Sequence, residues 1–340
     1  MPFFSSKKNH DRDNHYFHDD DDASSLFHTF SGRSSPRSDS DYYSRQRSQH
    51  GNKQLPLLSP DTDDDVYIVK QRHGYFSIFF SFLQTGILIA MMVDCGIAPL
   101  QMNPMLGPYP DALSYWGGKN AYLIVYKMEY WRLLTPIMLH AGVFHLIGNV
   151  LVQLDAGEFF EREWGSLTWL LIYLGSAIGS SALSCVTMPN TISVGSSGAV
   201  MGLFGAKLSE IFCRACESSK THQARVGHEV RCEQLQGVLC SIFVVALFSF
   251  VPFVDWGAHL GGMLAGWCIG MTLFSLHIKT PLFRLIWFLI GMSMLILYFT
   301  PLYAKVFGTF KGGLQPTHDL ADVCKYYQQS FPDYVCTCQL

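Results

Sequence analysis

The stretch "ISVGSSGAVMGLFGA", Ile192–Ala206, decides how this chain is to be read. It is apolar and uncharged, as a membrane helix is. Yet it opens with three serines, two of them adjacent between glycines: Gly195, Ser196, Ser197, Gly198. Beyond them Gly198, Gly202 and Ala206 recur every fourth residue, so one helix face carries almost no bulk. A ridge of small residues lets two membrane helices approach until their backbones nearly touch. A serine at the head of that ridge is brought close to whatever the partner helix carries.

The surroundings are those of a membrane protein. Of 340 residues, 49% are hydrophobic and only 15% charged, less than a soluble domain of ordinary composition carries. Residues 1–72 are polar, rich in Asp, Ser, Arg and His, with the run Asp19–Asp22. Such a segment cannot bury enough apolar surface to offset its ordering entropy and is expected to be disordered and cytosolic. No apolar core follows its first basic residues, so it does not read as a signal peptide. A formal net charge of −3 and the lack of a basic stripe interleaved with aromatics argue against nucleic acid as a partner.

From Tyr75 onward seven apolar stretches are long enough, or nearly so, to cross a bilayer: about 75–95, 133–154, 166–187, 192–213, 235–253, 256–277 and 283–302. The expected fold is an all-α polytopic membrane protein, with its membrane domain over 73–302 and a C-terminal tail over 303–340. Lys70, Arg72, Arg214, Lys220, Arg225, Arg231, Lys279 and Arg284 fall on one side and favour a cytosolic N-terminus. The opposing set, Lys119, Lys127, Arg132, Lys305, Lys311 and Lys325, is smaller. Seven spans then put the tail on the lumenal or extracellular side, where disulfides persist. Cys324, Cys336 and Cys338 lie in it; pairing among them and free thiols both fit an odd count of three. Cys213, Cys216 and Cys232 lack the tight Cys/His spacing of a metal site, and neither metal nor cofactor is expected.

Polar side chains inside spans are costly and mark function or tight packing. The second span holds His140, His145 and Asn149; the fourth holds Ser197; the sixth holds His259. His145 and Asn149 are four apart and share a helix face. His259, Gly262 and Gly266 follow at i, i+3 and i+7, so the imidazole stands on a face nearly free of bulk. Close crossing of the fourth and sixth spans would put Ser197 Oγ within hydrogen-bond reach of His259. A serine is a poor nucleophile until a neighbouring base activates it. His145, Asn149 and the Ser197 backbone N–H would then face a developing oxyanion. Valine at Gly202 or Gly262 is expected to force the two spans apart, and alanine at Gly202 to do less harm. Asp255, four residues before His259, is either a third catalytic group or a helix N-cap, with the cap favoured.

These residues resemble the rhomboid family of intramembrane serine proteases. The matching pieces are "GSSGAVMG" (Gly195–Gly202), "AHLGG" around His259 with Gly266 beyond it, "HAGVFHLIGN" (His140–Asn149), Trp131–Arg132, and "NPMLGP" (Asn103–Pro108) in the first loop. The resemblance covers about residues 75–302, and the seventh span is similar to the eukaryotic secretase-type subgroup. It implies a Ser197–His259 dyad, an oxyanion hole of His145 and Asn149, and His140 holding the first loop by a hydrogen bond. Trp131 and Arg132 would anchor that loop, and Glu161 would match the acidic residue of an E-x-R-x-G pattern. Glu163 stands where that pattern has arginine. The implied activity is a serine endopeptidase acting on single-pass transmembrane proteins within the lipid bilayer, with Phe243, Phe248, Phe250 and Phe253 on the span where the family has its lateral gate. The alternative is a catalytically silent rhomboid-like protein that binds membrane clients. A secretory-pathway or plasma-membrane location is expected rather than a mitochondrial one; oligomeric state is not readable from these features.

Overall fold

A computed structural model describes residues 71–215, 222–249, 254–308, 313–331 and 334–338; the acidic N-terminal segment lies outside them. The described residues are helical, with two isolated bridges, Ile97↔Pro108 and Lys119↔Ser193, in place of any sheet. The helices are α1 (Tyr75–Cys95), α2 (Pro110–Tyr115), α3 (Ala121–Tyr126), α4 (Val143–Val152), α5 (Glu158–Trp164), α6 (Ser166–Thr187), α7 (Ser197–Arg214), α8 (His222–Phe248), α9 (Trp256–Ser275), α10 (Pro281–Val306) and α11 (Val323–Ser330). α1, α6, α9, α10 and the Val230–Leu247 part of α8 are long and apolar enough to cross a membrane. α7 carries Lys207, Glu210 and Arg214 in its second half and owes its place to packing inside the bundle.

The expected second span over 133–154 is not one straight helix. Residues Tyr130–Leu133 and Thr135–Met138 form 3₁₀ turns, and the α-helix begins only at Val143. Pro136 cannot donate to a helical ladder and disfavours the α conformation at Thr135. Gly142 packs so closely on the first loop that a β-carbon there would stand 2.6 Å from the Met105 carbonyl carbon. From α4 the chain runs through a π-helical turn, Gln153–Gly157, directly into α5. The stretch "FEREWG", Phe160–Gly165, between the expected second and third spans, is therefore mostly helical and stops at Gly165, whose φ of 87° suits glycine. The later start moves His145 into the first turn of α4.

The fourth span also starts later than 192. Ile192–Ser196 approaches as irregular chain, with Ser193 bridged to Lys119, and Gly195 at φ 123° prevents the helix from extending backward. α7 is the centre of the bundle, gripped by α6 and α9. A β-carbon on Gly262 would overlap the Gly198 carbonyl oxygen, and one on Gly266 would overlap that of Gly202. One turn further, a β-carbon on Gly270 would lie 2.8 Å from Ala206 Cα. The small faces of α7 and α9 thus meet backbone to backbone through three successive turns.

Buried charges fix the end of the bundle remote from Ser197. Lys207 Nζ donates to both Glu163 carboxylate oxygens at 2.7 Å and to Glu210 at 2.9 Å. Trp164 and Arg214 complete the coordination of Glu210. Lysine on α7 thereby answers the glutamate that occupies the expected arginine position. Glu161, wholly buried, accepts from the backbone N–H groups of Phe76 and Ser77 at 2.9 and 2.8 Å. It satisfies donors that the first turn of α1 leaves without intrahelical partners.

At the other end the tail folds over the first loop. Asn120 donates to the Leu320 carbonyl at 3.0 Å. The Asp111 carboxylate accepts from Tyr334 Oη and from the backbone N–H groups of Thr337 and Cys338. Cys324 pairs with Cys336, and Cys338 pairs with Cys95 at the end of α1. The third tail cysteine thus has its partner outside the tail, 243 residues away in sequence.

Candidate active site

Ser197 is the first residue of α7, and His259 lies in the first turn of α9. Because Gly198 and Gly262 let those two turns touch, His259 Nε2 stands 2.8 Å from Ser197 Oγ. Tyr298, from α10, braces the crossing by donating to the Gly261 carbonyl at 2.8 Å, with the Gly179 carbonyl oxygen 3.1 Å from the same hydroxyl.

The Asp255 carboxylate makes no hydrogen bond to the His259 ring. Its Oδ1 accepts from the Ala258 N–H at 2.9 Å, as an N-cap does, while its Oδ2 accepts from the hydroxyls of Ser184 and Ser193. Lys119 Nζ lies 3.9 Å from the same oxygen and donates to the Met188 carbonyl at 2.8 Å. Lys119 is wholly buried; burial lowers its pKa from the ordinary lysine value, with Asp255 opposing the shift. The pair joins the first loop, the approach to Ser197 and the start of α9.

The two adjacent serines have separate environments. Ser196, fully buried, donates to Asn149 Oδ1 at 3.2 Å, while Ser197 faces the imidazole. Asn149 Nδ2 donates to the His145 carbonyl at 2.9 Å. His145 Nδ1 accepts from the Ala141 N–H at 3.3 Å, so the ring proton is on Nε2. Gly195 keeps open the space that this N–H faces: a β-carbon there would lie 3.0 Å from His145 Nε2 and 3.8 Å from Ser197 Oγ. An oxygen placed in that space meets a ring N–H from α4 and the head of α7.

His140 differs from expectation. It is buried with its ring 5.3 Å from that of His145, but neither ring nitrogen has a hydrogen-bond partner among the described residues. The loop is held instead by Asn103, whose Nδ2 donates to the Ala141 carbonyl at 2.7 Å and to that of Pro108 at 2.9 Å. Backbone bonds from Val143 to Leu106 and from Phe144 to Met105 run alongside. A short amide seated between two carbonyls closes the loop without the imidazole. Arg132 is buried and donates to the carbonyls of Ser114 at 2.6 Å and Gly118 at 3.1 Å, with its guanidinium 4.5 Å above the Trp131 ring. That pair therefore gathers the first loop around one guanidinium.

A cavity of about 380 Å³ between α8 and α9 opens onto His259, lined by Met201, Ile242, Trp256 and Met263. Phe243 is exposed on α8; Phe250 and Phe253, also expected there, lie outside the described residues. At Gly202 even the β-carbon of alanine would overlap the Ser176 side chain on α6, and valine would add two methyl groups to that overlap. Three residues went unsingled in the sequence: Lys119, Ser196 as the partner of Asn149, and Ser249, which touches His259 Nδ1. None sits in a spacing pattern that announces its contact.

Residues 127–276 match the Rhomboid domain. RHOMBOID-like protein 6, mitochondrial, of Arabidopsis thaliana is 36% identical over 52% of this chain and 54% of its own length. Rhomboid-like protease 2 of Toxoplasma gondii is 30% identical over 58% of this chain and 64% of its own. Inactive RHOMBOID-like protein 8 of Arabidopsis thaliana is 31% identical over 49% and 44%. The chain spans about half the length of the curated relatives it matches. The domain match takes in every site residue from Trp131 to Gly266, and five helices among the described residues are long and apolar enough to cross a membrane. This chain is a multi-pass membrane protein that carries a rhomboid domain over residues 127–276.

Proposed function

We propose that this protein is an intramembrane serine endopeptidase that cleaves transmembrane segments of other membrane proteins. The observation that carries this reading is the 2.8 Å contact between Ser197 Oγ and His259 Nε2. Ser197 Oγ attacks the scissile carbonyl carbon as its proton passes to Nε2. The carbonyl electron pair moves onto oxygen, where His145 Nε2–H, the Asn149 amide and the Ser197 backbone N–H receive it. Nε2 then returns its proton to the leaving amine nitrogen as the C–N bond breaks. Water deacylates the serine with His259 again as base. Asp255 takes no part in the proton transfer, because its oxygens are engaged at the cap and with two serines.

The site lies at one end of the bundle, beneath a loop that Arg132 and Asn103 hold in place. The basic residues flanking the spans favour a cytosolic N-terminus, which supports a site near the lumenal or extracellular face. Two disulfides at that same end support a compartment in which disulfides persist, as in the secretory pathway or at the plasma membrane. Single-pass transmembrane proteins are the substrates this arrangement suits.

A relative that carries the name inactive keeps a second reading in view, a client-binding protein without catalysis. The dyad contact favours the enzyme. Purified protein is to be treated with a fluorophosphonate probe and, separately, with a reporter transmembrane substrate. Labelling at Ser197 and cleavage, both lost in folded Ser197→Ala and His259→Ala, are expected. An unlabelled, uncleaving wild type would favour client binding.

A further inference from the structure

Ser249 follows the last residue of α8 and has no partner in any motif of the sequence. Its Oγ lies 2.7 Å from His259 Nδ1 and 2.8 Å from the Val245 carbonyl oxygen, which also accepts its backbone N–H at 2.9 Å. A hydroxyl has one proton and two acceptor lone pairs. A carbonyl oxygen can only accept, so the proton goes to Val245 and a lone pair faces the imidazole. His259 Nδ1 must then carry hydrogen, and Nε2 must present its lone pair to Ser197. The bonds run in one direction: Ser197 O–H to Nε2, Nδ1–H to Ser249 Oγ, and Ser249 O–H to the Val245 carbonyl. A backbone acceptor at the far end fixes that direction.

We propose that Ser249 is a positioning residue that holds His259 in the base-competent tautomer, the place a carboxylate occupies in a Ser-His-Asp triad. The proposal rests on the reading of Ser197 and His259 as a catalytic pair. Asp255, the nearest carboxylate in sequence, is engaged at the cap of α9 and with Ser184 and Ser193. A neutral hydroxyl orients the ring without adding a negative charge in an apolar site, where a lone carboxylate would be costly. The acceptor stands just past the end of α8, whose Val230–Leu247 part is only 11% buried. The base is therefore oriented only while the end of α8 rests against α9.

The test uses the full-length protein and the rate of fluorophosphonate labelling at Ser197. Ser249→Ala removes the acceptor, and labelling should slow roughly tenfold to a hundredfold, less than the full 10²–10⁴ of a general base. Ser249→Thr keeps the hydroxyl and its bond to the preceding turn and should restore the rate. With a reporter substrate the alanine variant should lose kcat at unchanged KM and unchanged melting temperature. Nitrogen NMR of labelled histidine should show a protonated Nδ1 at His259 in wild type and loss of that preference in Ser249→Ala. If wild type labels and Ser249→Ala labels equally fast, Ser249 has no positioning role and the dyad stands alone. A slow alanine variant that melts early and is not rescued by threonine makes Ser249 structural and overturns the proposal. If wild type does not label at all, the dyad reading fails, and this proposal falls with it.

Discussion

Gly262 on α9 lies against the carbonyl oxygen of Gly198 on α7, with no room between them for a β-carbon. That contact sets the distance from Ser197 to His259, since each stands within one turn of it. Gly262→Ala is expected to push the helices apart; a misplacement of about 1 Å costs on the order of a hundredfold in rate. Fluorophosphonate labelling of Ser197 reads the loss directly. Wild-type labelling in Gly262→Ala would show that the crossing tolerates the methyl group.

Gly202 meets α6 as well as α9. A β-carbon there overlaps the Cβ and Oγ of Ser176 and comes 3.0 Å from the Gly262 carbonyl oxygen. Gly202→Ala alone is therefore expected to lower stability by about 1–3 kcal/mol, the usual range for overpacking. Ser176→Gly in the same chain should recover most of it. A double variant no more stable than Gly202→Ala would assign the strain elsewhere.

The oxyanion donors should act on turnover rather than on binding. His145→Ala and Asn149→Ala are each expected to lower kcat by about 10²–10³. Ser196→Ala should cost less, because it loosens Asn149 without removing its amide. The comparison requires thermal unfolding beside kinetics. Activity losses that merely follow melting temperature would remove His145 and Asn149 from catalysis.

Lys207 stands between Glu163 and Glu210, all three buried. Lys207→Met leaves two carboxylates facing each other, and a broken buried pair typically costs about 3–5 kcal/mol. Unfolding of the purified variant in detergent should show this as a large drop in melting temperature. An unchanged melting temperature would mean that the cluster adds nothing to stability.

The Cys95–Cys338 disulfide ties the tail to the end of α1. Cys338→Ser should expose the 313–338 segment to protease while the membrane helices stay intact. The Cys324–Cys336 bridge, spanning 12 residues, closes only a local loop and should not replace that tether. Equal protease resistance in Cys338→Ser and wild type would show that Asp111 and Asn120 suffice to hold the tail.

The small-residue period of Gly198, Gly202 and Ala206, set against that of His259, Gly262 and Gly266, was legible in the sequence because helix periodicity is local. It determines which faces meet, and from that the Ser197–His259 juxtaposition. Apolar length likewise announces α1, α6, α9 and α10, since each must match the bilayer alone. Where α4 and α7 begin was not legible. Apolar composition continues through 133–142 and 192–196, but Pro136, the packing of Gly142 on Met105 and the positive φ of Gly195 end the helices there. Tertiary structure alone decided the partners of polar groups. Ser249 and His259, Lys207 and Glu163, Asn103 and Ala141, and Cys95 and Cys338 are joined by hydrogen bonds, ion pairs and a disulfide that leave no periodic trace. A hydroxyl, amide, charge or thiol in a span records that it needs a partner, because burial without one is costly. Only the packing of helices distant in sequence says which partner it finds.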